Sequence, residues 1–312
     1  MQSLISSEQV FSQDSHLNLI NQVEQAMLAS VGRHSTCEGD LSQEVSVAAA
    51  YHLNAGGQRV RAKLALHAGI AAGLNTADVI AIAATVELLH NASLVHDDIE
   101  DGDELRRGQQ AVWVRFGVNT AICSGDLLLS AAYATLCKLE NGHALAEMIS
   151  LVHQRVATAI DGQCSDLRAS TAPTIDSASA LIRYQQIATA KSGALLSLPL
   201  ELVLLAAGHR AFLSDARSAA EAFAIGYQIA DDLSDVQSDL CANSNESTYN
   251  VVSIFKETGT LRQAIKQAKL LGCEKLDLAI ALAKRLPCGM GEPLSNYAHH
   301  LHSVLGEFKV EA

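Results

Sequence analysis

Proline is scarce in this 312-residue chain, with only 4 in all, and positive charge is in short supply: 22 Lys and Arg against 34 Asp and Glu. With few helix breakers and 49% hydrophobic residues, mostly Ala and Leu, the chain favours helices over strands. The net charge of −12 argues against nucleic acid or an anionic membrane surface as the main partner. An anionic small substrate stays possible if divalent cations stand between it and the protein carboxylates. The 7 cysteines are odd in number and scattered, and no CxxC pair occurs, so neither a zinc site nor a disulfide framework is suggested. Reduced thiols in a cytoplasmic protein are the expectation.

Several other features are missing. The N-terminus reads as having no basic-then-apolar leader. The most apolar stretch, Gly193 to Gly208, contains Pro199 and Glu201. It reads as too short and interrupted to span a bilayer, hence as a buried core helix. No GxxxxGK[ST] loop, GxGxxG, GxSxG or HExxH motif is found.

What is present is helical periodicity. Residues 1 to about 45 are polar and mixed, with a helical pattern at Leu17, Ile20, Val23 and Met27. From Ala48 onward apolar residues recur at three- and four-residue spacing. Breaks are expected at Ala55-Gly56-Gly57, Gly73-Leu74-Asn75, Gly102 to Gly108, Asn141-Gly142, Ser170 to Pro173, Gly208 to Ser214 and Cys241 to Ser247. Asn75, Asp176 and Ser214 are candidate N-caps. The pattern predicts an all-α fold of about ten helices in a single domain over residues 1–312, since no linker is long enough to divide it. The first 45 residues form a helical segment of less certain role.

Two acidic motifs carry the chemistry. Asp97-Asp98-Ile99-Glu100-Asp101 follows the apolar run Val79, Ile82, Val86, Leu89, Leu94. Asp231-Asp232-Leu233-Ser234-Asp235 follows Phe223 to Gln228, and both motifs are expected at helix ends. Carboxylates four apart share one helix face and repel each other unless a cation is bound. One DDxxD is weak evidence, since an acidic helix end is often only solvated; two make coincidence a poor account. Arg106 and Arg107 follow the first motif. They either neutralise it or hold phosphate oxygens while the carboxylates hold a metal. Arg59, Arg61 and Lys191 are further cationic candidates. Lys191 also fits an exposed helix start, and His90 also fits a satisfied core histidine.

The stretch Glu87-Leu88-Leu89-His90-Asn91-Ala92-Ser93-Leu94-Val95-His96-Asp97-Asp98-Ile99-Glu100-Asp101, then Arg106-Arg107-Gly108, resembles the first aspartate-rich region of trans-polyprenyl diphosphate synthases. Gly125-Asp126-Leu127-Leu128-Leu129, Gly162-Gln163, Lys191-Ser192 and Gly226 to Asp235 follow in that family's order, so the likeness runs from about Gly56 to Asp235. The resemblance implies an isoprenoid-synthase-type helical bundle around a central cavity, usually a homodimer. It implies that Asp97, Asp98, Asp101, Asp231, Asp232 and Asp235 bind about three Mg²⁺. Arg106, Lys191, Ser192 and Gln228 would hold an allylic diphosphate. Arg61, His90 and Arg107 would hold isopentenyl diphosphate, with Gln58 standing where the family has lysine. The reaction implied is head-to-tail condensation. Small Ala92 and Ser93, with Leu89, would set chain length, and geranylgeranyl diphosphate (C20) is the first expectation. The alternatives are a C15 farnesyl diphosphate synthase and a non-catalytic regulatory subunit. The family's Gly-Lys after the second motif is absent from Val236 to Tyr249; Lys256 is a possible stand-in.

Overall fold

The computed structural model describes residues 13–32, 44–169, 176–242, 250–257 and 259–308. The expected breaks at Ser170 to Pro173 and from Asn243 onward lie outside the described residues, as does most of the N-terminal segment. The described residues are helical almost throughout. The one sheet among them is a two-residue antiparallel hairpin, β1 (Leu105–Arg106) and β2 (Gln109–Gln110).

By its contacts the chain divides into two compact units, residues 8–151 with 202–208, and residues 152–201 with 209–308 of the described chain. In the first unit, α1 (Gln13–Val31) packs on α4 (Thr76–Glu100) and α6 (Val118–Leu136). α2 (Glu44–Asn54), α3 (Val60–Ala71) and the short α5 (Val112–Phe116) complete it. α1 is seated by Val23 and Met27, both fully buried, whereas Leu17 is exposed. α4 is the spine. Asn75 caps it by accepting from the Asp78 N–H at 2.7 Å, and buried Asp78 also accepts from Glu140 N–H at 2.7 Å. The Thr85 hydroxyl donates across to the Ala132 carbonyl of α6 at 3.3 Å. Leu64, Ile82, Leu88, Leu128 and Leu136 are sealed from solvent around it. Truncating any of them to Ala costs about 2–5 kcal/mol.

In the second unit α10 (Leu213–Ala242) packs against α12 (Leu261–Ala283), which also meets α11 (Val251–Lys256) and α13 (Glu292–Glu307). α8 (Ser177–Ala188) is capped by Asp176 as the sequence indicates, and α12 by a Thr260–Gln263 capping box. Ser214 is not a cap: α10 already starts at Leu213, directly after a 3₁₀ turn at Arg210–Phe212. α7 (Leu145–Ala169) and α9 (Ala194–Ala206) each contribute residues to both units.

Two expectations need correction. The helix carrying the second motif does not end there; α10 runs on to Ala242, so Asp231–Asp235 lie inside it. The Gly193 to Gly208 stretch is not short either. α8, a π-helical turn at Thr189–Gly193 and α9 make one run, Ser177–Ala206, with Pro199 inside. That run and Thr76–Glu100 are long and apolar enough to cross a membrane by length and composition. Their apolar windows are 78% and 72% buried within the protein, as in core helices.

Candidate active site

In the first unit α4 delivers the first motif at its C-terminal end, where the Asp101 N–H donates to the Asp97 carbonyl at 2.8 Å. The chain then turns through the hairpin. Asp98 is 1% exposed, and the Nε of Arg106 donates to its Oδ1 at 2.6 Å, with an Nη on the same oxygen. Arg106 also pairs with Asp103 at 3.1 Å. Burial raises the Asp98 carboxyl above its usual range even though Arg106 opposes it. Its Oδ2 is buried with no hydrogen-bond partner among the described residues.

The hairpin turn is Arg107-Gly108, both at positive φ (54° and 78°), the backbone of a two-residue turn that normally prefers Asn and Gly. An arginine there carries a backbone cost, and its side chain shows the return. The Arg107 guanidinium reaches the Gly56 carbonyl and lies 3.5 Å from Asn91 Oδ1. It rests on Gly57, where a Cβ would come within 2.7 Å of its Cζ. His90 and Arg61 belong to the same neighbourhood: burial, then Arg61 and Arg107, hold the His90 ring well below its ordinary value. Gln58 is exposed in the turn before α3.

Arg59 sits differently from its neighbours. It is buried, in the left-handed region at φ 50°, and its guanidinium donates to Glu24 at 2.9 Å and to the Leu53 carbonyl at 2.9 Å. Glu87, which accepts from the Ala62 N–H at 3.0 Å, stands 3.9 Å away. Arg59 therefore ties α1, α2, α3 and α4 together. Of the chain-length candidates, Leu89 and Ala92 are buried, and Ser93 donates to the His90 carbonyl at 2.8 Å.

The second unit gathers carboxylates. Lys191 lies on the π-helical turn, and its Nζ donates to Asp166 of α7 at 2.6 Å. That turn fits only because residue 162 is glycine; a Cβ there would meet the Lys191 backbone nitrogen at 2.4 Å. Ser192 is half-buried beside it. Asp232 is 5% exposed and accepts from the Val251 N–H at 2.8 Å and from Gln228 Nε2 at 3.0 Å. Burial, the largest influence, together with the charge of Asp231 outweighs these hydrogen bonds and pushes its carboxyl up to about 6. The Tyr184 phenol is held protonated by burial and by the charges of Asp232, Asp231 and Asp166. Asp231 is raised by burial and by the charge of Asp235 one turn on.

The motifs are therefore not six equivalent ligands. The second aspartate of each is buried and bonded within its own unit, to Arg106 in one and to Val251 and Gln228 in the other. Asp97, Asp101, Asp231 and Asp235 are the more accessible carboxylates. Among the described residues no three His, Cys, Asp or Glu side chains converge on one ion position. Paired hard oxygens that repel one another, without a complete protein cage, suit Mg²⁺, which keeps places for water and substrate phosphate.

The polyprenyl synthetase family model matches residues 42–248, two thirds of the chain, including both aspartate motifs. The chain belongs to the polyprenyl synthetase family. A geranylgeranyl diphosphate synthase from Methanosarcina mazei is 33% identical over 196 residues, 62% of this chain and 59% of that protein. A (2E,6E)-farnesyl diphosphate synthase from Mycobacterium tuberculosis is 32% identical over 178 residues, 57% of this chain and 48% of that protein. The matched stretch is thus less than two thirds of either relative's length. The solved geranylgeranyl pyrophosphate synthetase of Pyrococcus horikoshii superposes with a TM-score of 0.77 at 23% identity, covering 92% of this chain and 99% of that one. That likeness establishes the all-helical fold.

Four polar groups beside these residues were not among the expected site residues: Asp166 accepts from Lys191 at 2.6 Å, Glu87 stands 3.9 Å from Arg59, and Tyr184 and His52 lie in the fields of Asp232 and Arg107. Asp166 had a signal, since it follows Gly162 by four and so shares its helix face. His52, Tyr184 and Glu87 had none, because a buried polar side chain in an apolar run is visible only once its neighbours are placed.

Proposed function

We propose that the chain is a Mg²⁺-dependent prenyltransferase that joins isopentenyl diphosphate head-to-tail to an allylic diphosphate. The observation that carries this reading is the division of charge in a polyprenyl synthetase. Arg61, His90 and Arg107 gather beside the first motif, and a lysine stands among the carboxylates of the second unit. In this reading Arg61, His90 and Arg107 bind the isopentenyl diphosphate, with Gln58 adding a neutral donor. Lys191, Ser192 and Gln228 orient the allylic diphosphate, while Arg106 is held by Asp98 and Asp103. Asp97, Asp101, Asp231 and Asp235 are the residues that would hold Mg²⁺, with Asp98 and Asp232 bracing them. Bound there, the metal would neutralise charge building on the leaving diphosphate.

The residues do the rest. Fixed cations on each diphosphate limit the freedom of both substrates, which favours reaction of the isopentenyl C4 with the allylic C1. The C–O bond to diphosphate ionises, C4 attacks the allylic cation at C1, and the proton lost from C2 passes to the released diphosphate. Apolar residues of α4 such as Leu89 and Ala92, both buried, would keep water off the allylic cation. The chain would act as a cytoplasmic homodimer; the exposed Val118 and Ile122 on α6 support the dimer, and the free described cysteines support the reducing compartment.

Ala92 and Ser93 are small, and the Methanosarcina mazei relative carries the geranylgeranyl name, so C20 is the proposed product. The mycobacterial relative favours C15 as the second reading. Incubating the purified chain with labelled isopentenyl diphosphate, an allylic primer and Mg²⁺, then separating products by chain length, tests both. No elongation sinks the enzymatic reading, and a stop at C15 sinks C20 alone.

A further inference from the structure

One imidazole buried among the cations of the first unit has no part in the proposed reaction. His52, in the last turn of α2, is 2% exposed, and its Nε2 has no hydrogen-bond partner among the described residues. A buried acceptor left bare is costly, and native structures keep few of them. Asn91 of α4 hydrogen-bonds the ring, and the Oδ1 of Asn91 is also within 3.5 Å of Arg107. His52 is thus one side chain removed from the guanidinium assigned to a diphosphate.

The charges facing the ring come from several elements. Arg59 heads α3, Arg106 and Arg107 come from the hairpin, and His90 comes from α4. Glu24 of α1 and Glu87 of α4 stand behind Arg59 and are occupied by it. α6 meets α2 through a neutral contact, the Ser124 hydroxyl on the Val45 carbonyl, and Arg115 of α5 lies over the Tyr51 ring. Burial first, then Arg107 and Arg106, push the His52 ring down to about 3. With no anion present the ring is therefore neutral, and its bare Nε2 faces a positive field.

We propose that a diphosphate held by Arg61, His90 and Arg107 draws one proton from solvent onto Nε2 of His52, so that anion binding charges this ring. The inference rests on the assignment of that cluster as a diphosphate site. A unit negative charge ~6 Å away, at an effective dielectric of ~20, raises a ring's proton affinity about a hundredfold. Two such charges give about ten-thousandfold, which carries a ring titrating near 3 into the neutral range. The orphaned atom is the acceptor, and the proton comes from buffer, so nothing else is consumed. His52 becomes a positioning residue whose charge appears only when the anion is there.

The test uses the full chain with inorganic diphosphate and EDTA, so that metal-dependent binding at the aspartate motifs does not contribute. Titration calorimetry in two buffers of different ionisation enthalpy counts the protons exchanged. The wild type should take up close to one proton more than His52→Gln near pH 7, the ligand's own ionisation cancelling in the difference. Its affinity should gain up to about tenfold per pH unit lowered relative to the variant. In wild-type protein with ¹⁵N-labelled histidine, the ring signals assigned to His52, as distinct from those of His90, should move from neutral to imidazolium shifts on adding diphosphate, a readout that needs no variant to fold. Equal proton uptake in both proteins, or no ring changing state, overturns the proposal. If Arg61→Gln with Arg107→Gln leaves diphosphate affinity unchanged, the anion site itself is misassigned and the proposal goes with it.

Discussion

At the scale of single residues, the site depends on where side chains are absent as much as on where they are present. Gly57→Ala places a Cβ 2.7 Å from the Arg107 Cζ at a backbone φ of 131°, so both the guanidinium and the turn must move. We expect a KM for isopentenyl diphosphate raised about tenfold or more, because one charge-assisted contact is worth ~1.5–3 kcal/mol. Gly56→Ala is the control: its φ of 77° also disfavours alanine, but nothing lies within 4 Å of the added methyl. It should cost stability and leave KM nearly unchanged. His52 supplies a second residue-scale prediction, for the ligand-free chain. Its folded value, about 3, lies below the ordinary 6.5, so the unfolded chain takes up a proton that the folded chain refuses. The stability His52 contributes is complete above pH 6.5 and is lost as pH falls towards 3, by up to ~1.4 kcal/mol per pH unit. Asp232, raised to about 6, acts in the opposite direction, favouring the fold as pH drops through that value. The diagnostic is therefore a difference: urea midpoints between pH 7 and 5 should fall less for His52→Gln than for the wild type.

At the scale of helices, the two aspartate motifs separate into accessible carboxylates and a buried one in each that bonds its own surroundings. Asp232 joins α10 to the first N–H of α11 through Val251 and anchors Gln228 on its own helix. Asp232→Ala leaves a buried N–H without its acceptor and should lose ~1–3 kcal/mol of unfolding free energy. Asp231→Asn removes a carboxylate that burial and Asp235 already disfavour, so the apo chain should unfold at equal or higher urea while product formation collapses. If Asp231→Asn were the less stable variant, the division would be wrong. Much of this scale was legible in the sequence. Helix ends at Gly56, Gly73, Gly102 and Gly208 follow from residues that tolerate positive φ, and Asn75 and Asp176 cap as their side chains dictate. Three features were not legible. Nothing between Asp231 and Leu240 breaks a helix, yet an end was expected there because the motif looked like one. The π-helical turn at Thr189–Gly193 depends on the close backbone approach at Gly162, a contact between residues far apart in sequence. The roles of Arg59 and Arg107 could not be told apart from spacing, because their difference lies in which carbonyls and carboxylates each one reaches.

At the scale of the whole chain the balance of charge becomes a prediction about metal. A protein of net charge −12 repels a diphosphate at long range, and the cations of the first unit, with Lys191 of the second, offset this locally. Diphosphate with EDTA should therefore raise the melting temperature only slightly, through the Arg61 and Arg107 cluster. Adding Mg²⁺ should raise it much further, because paired carboxylates such as Asp231 and Asp235 stop repelling each other once an ion lies between them and the phosphate oxygens. A ligand present at about a hundred times its dissociation constant adds ~2.7 kcal/mol to stability. For a chain of this length that corresponds to an increment of several degrees in a thermal scan. Asp97→Asn with Asp231→Asn should erase the Mg²⁺ increment and leave the metal-free shift intact, while Arg61→Gln with Arg107→Gln should do the reverse. A chain in which Mg²⁺ adds nothing to the effect of diphosphate would carry two acidic motifs that bind no metal, and the division of labour argued from their side chains would fail with it.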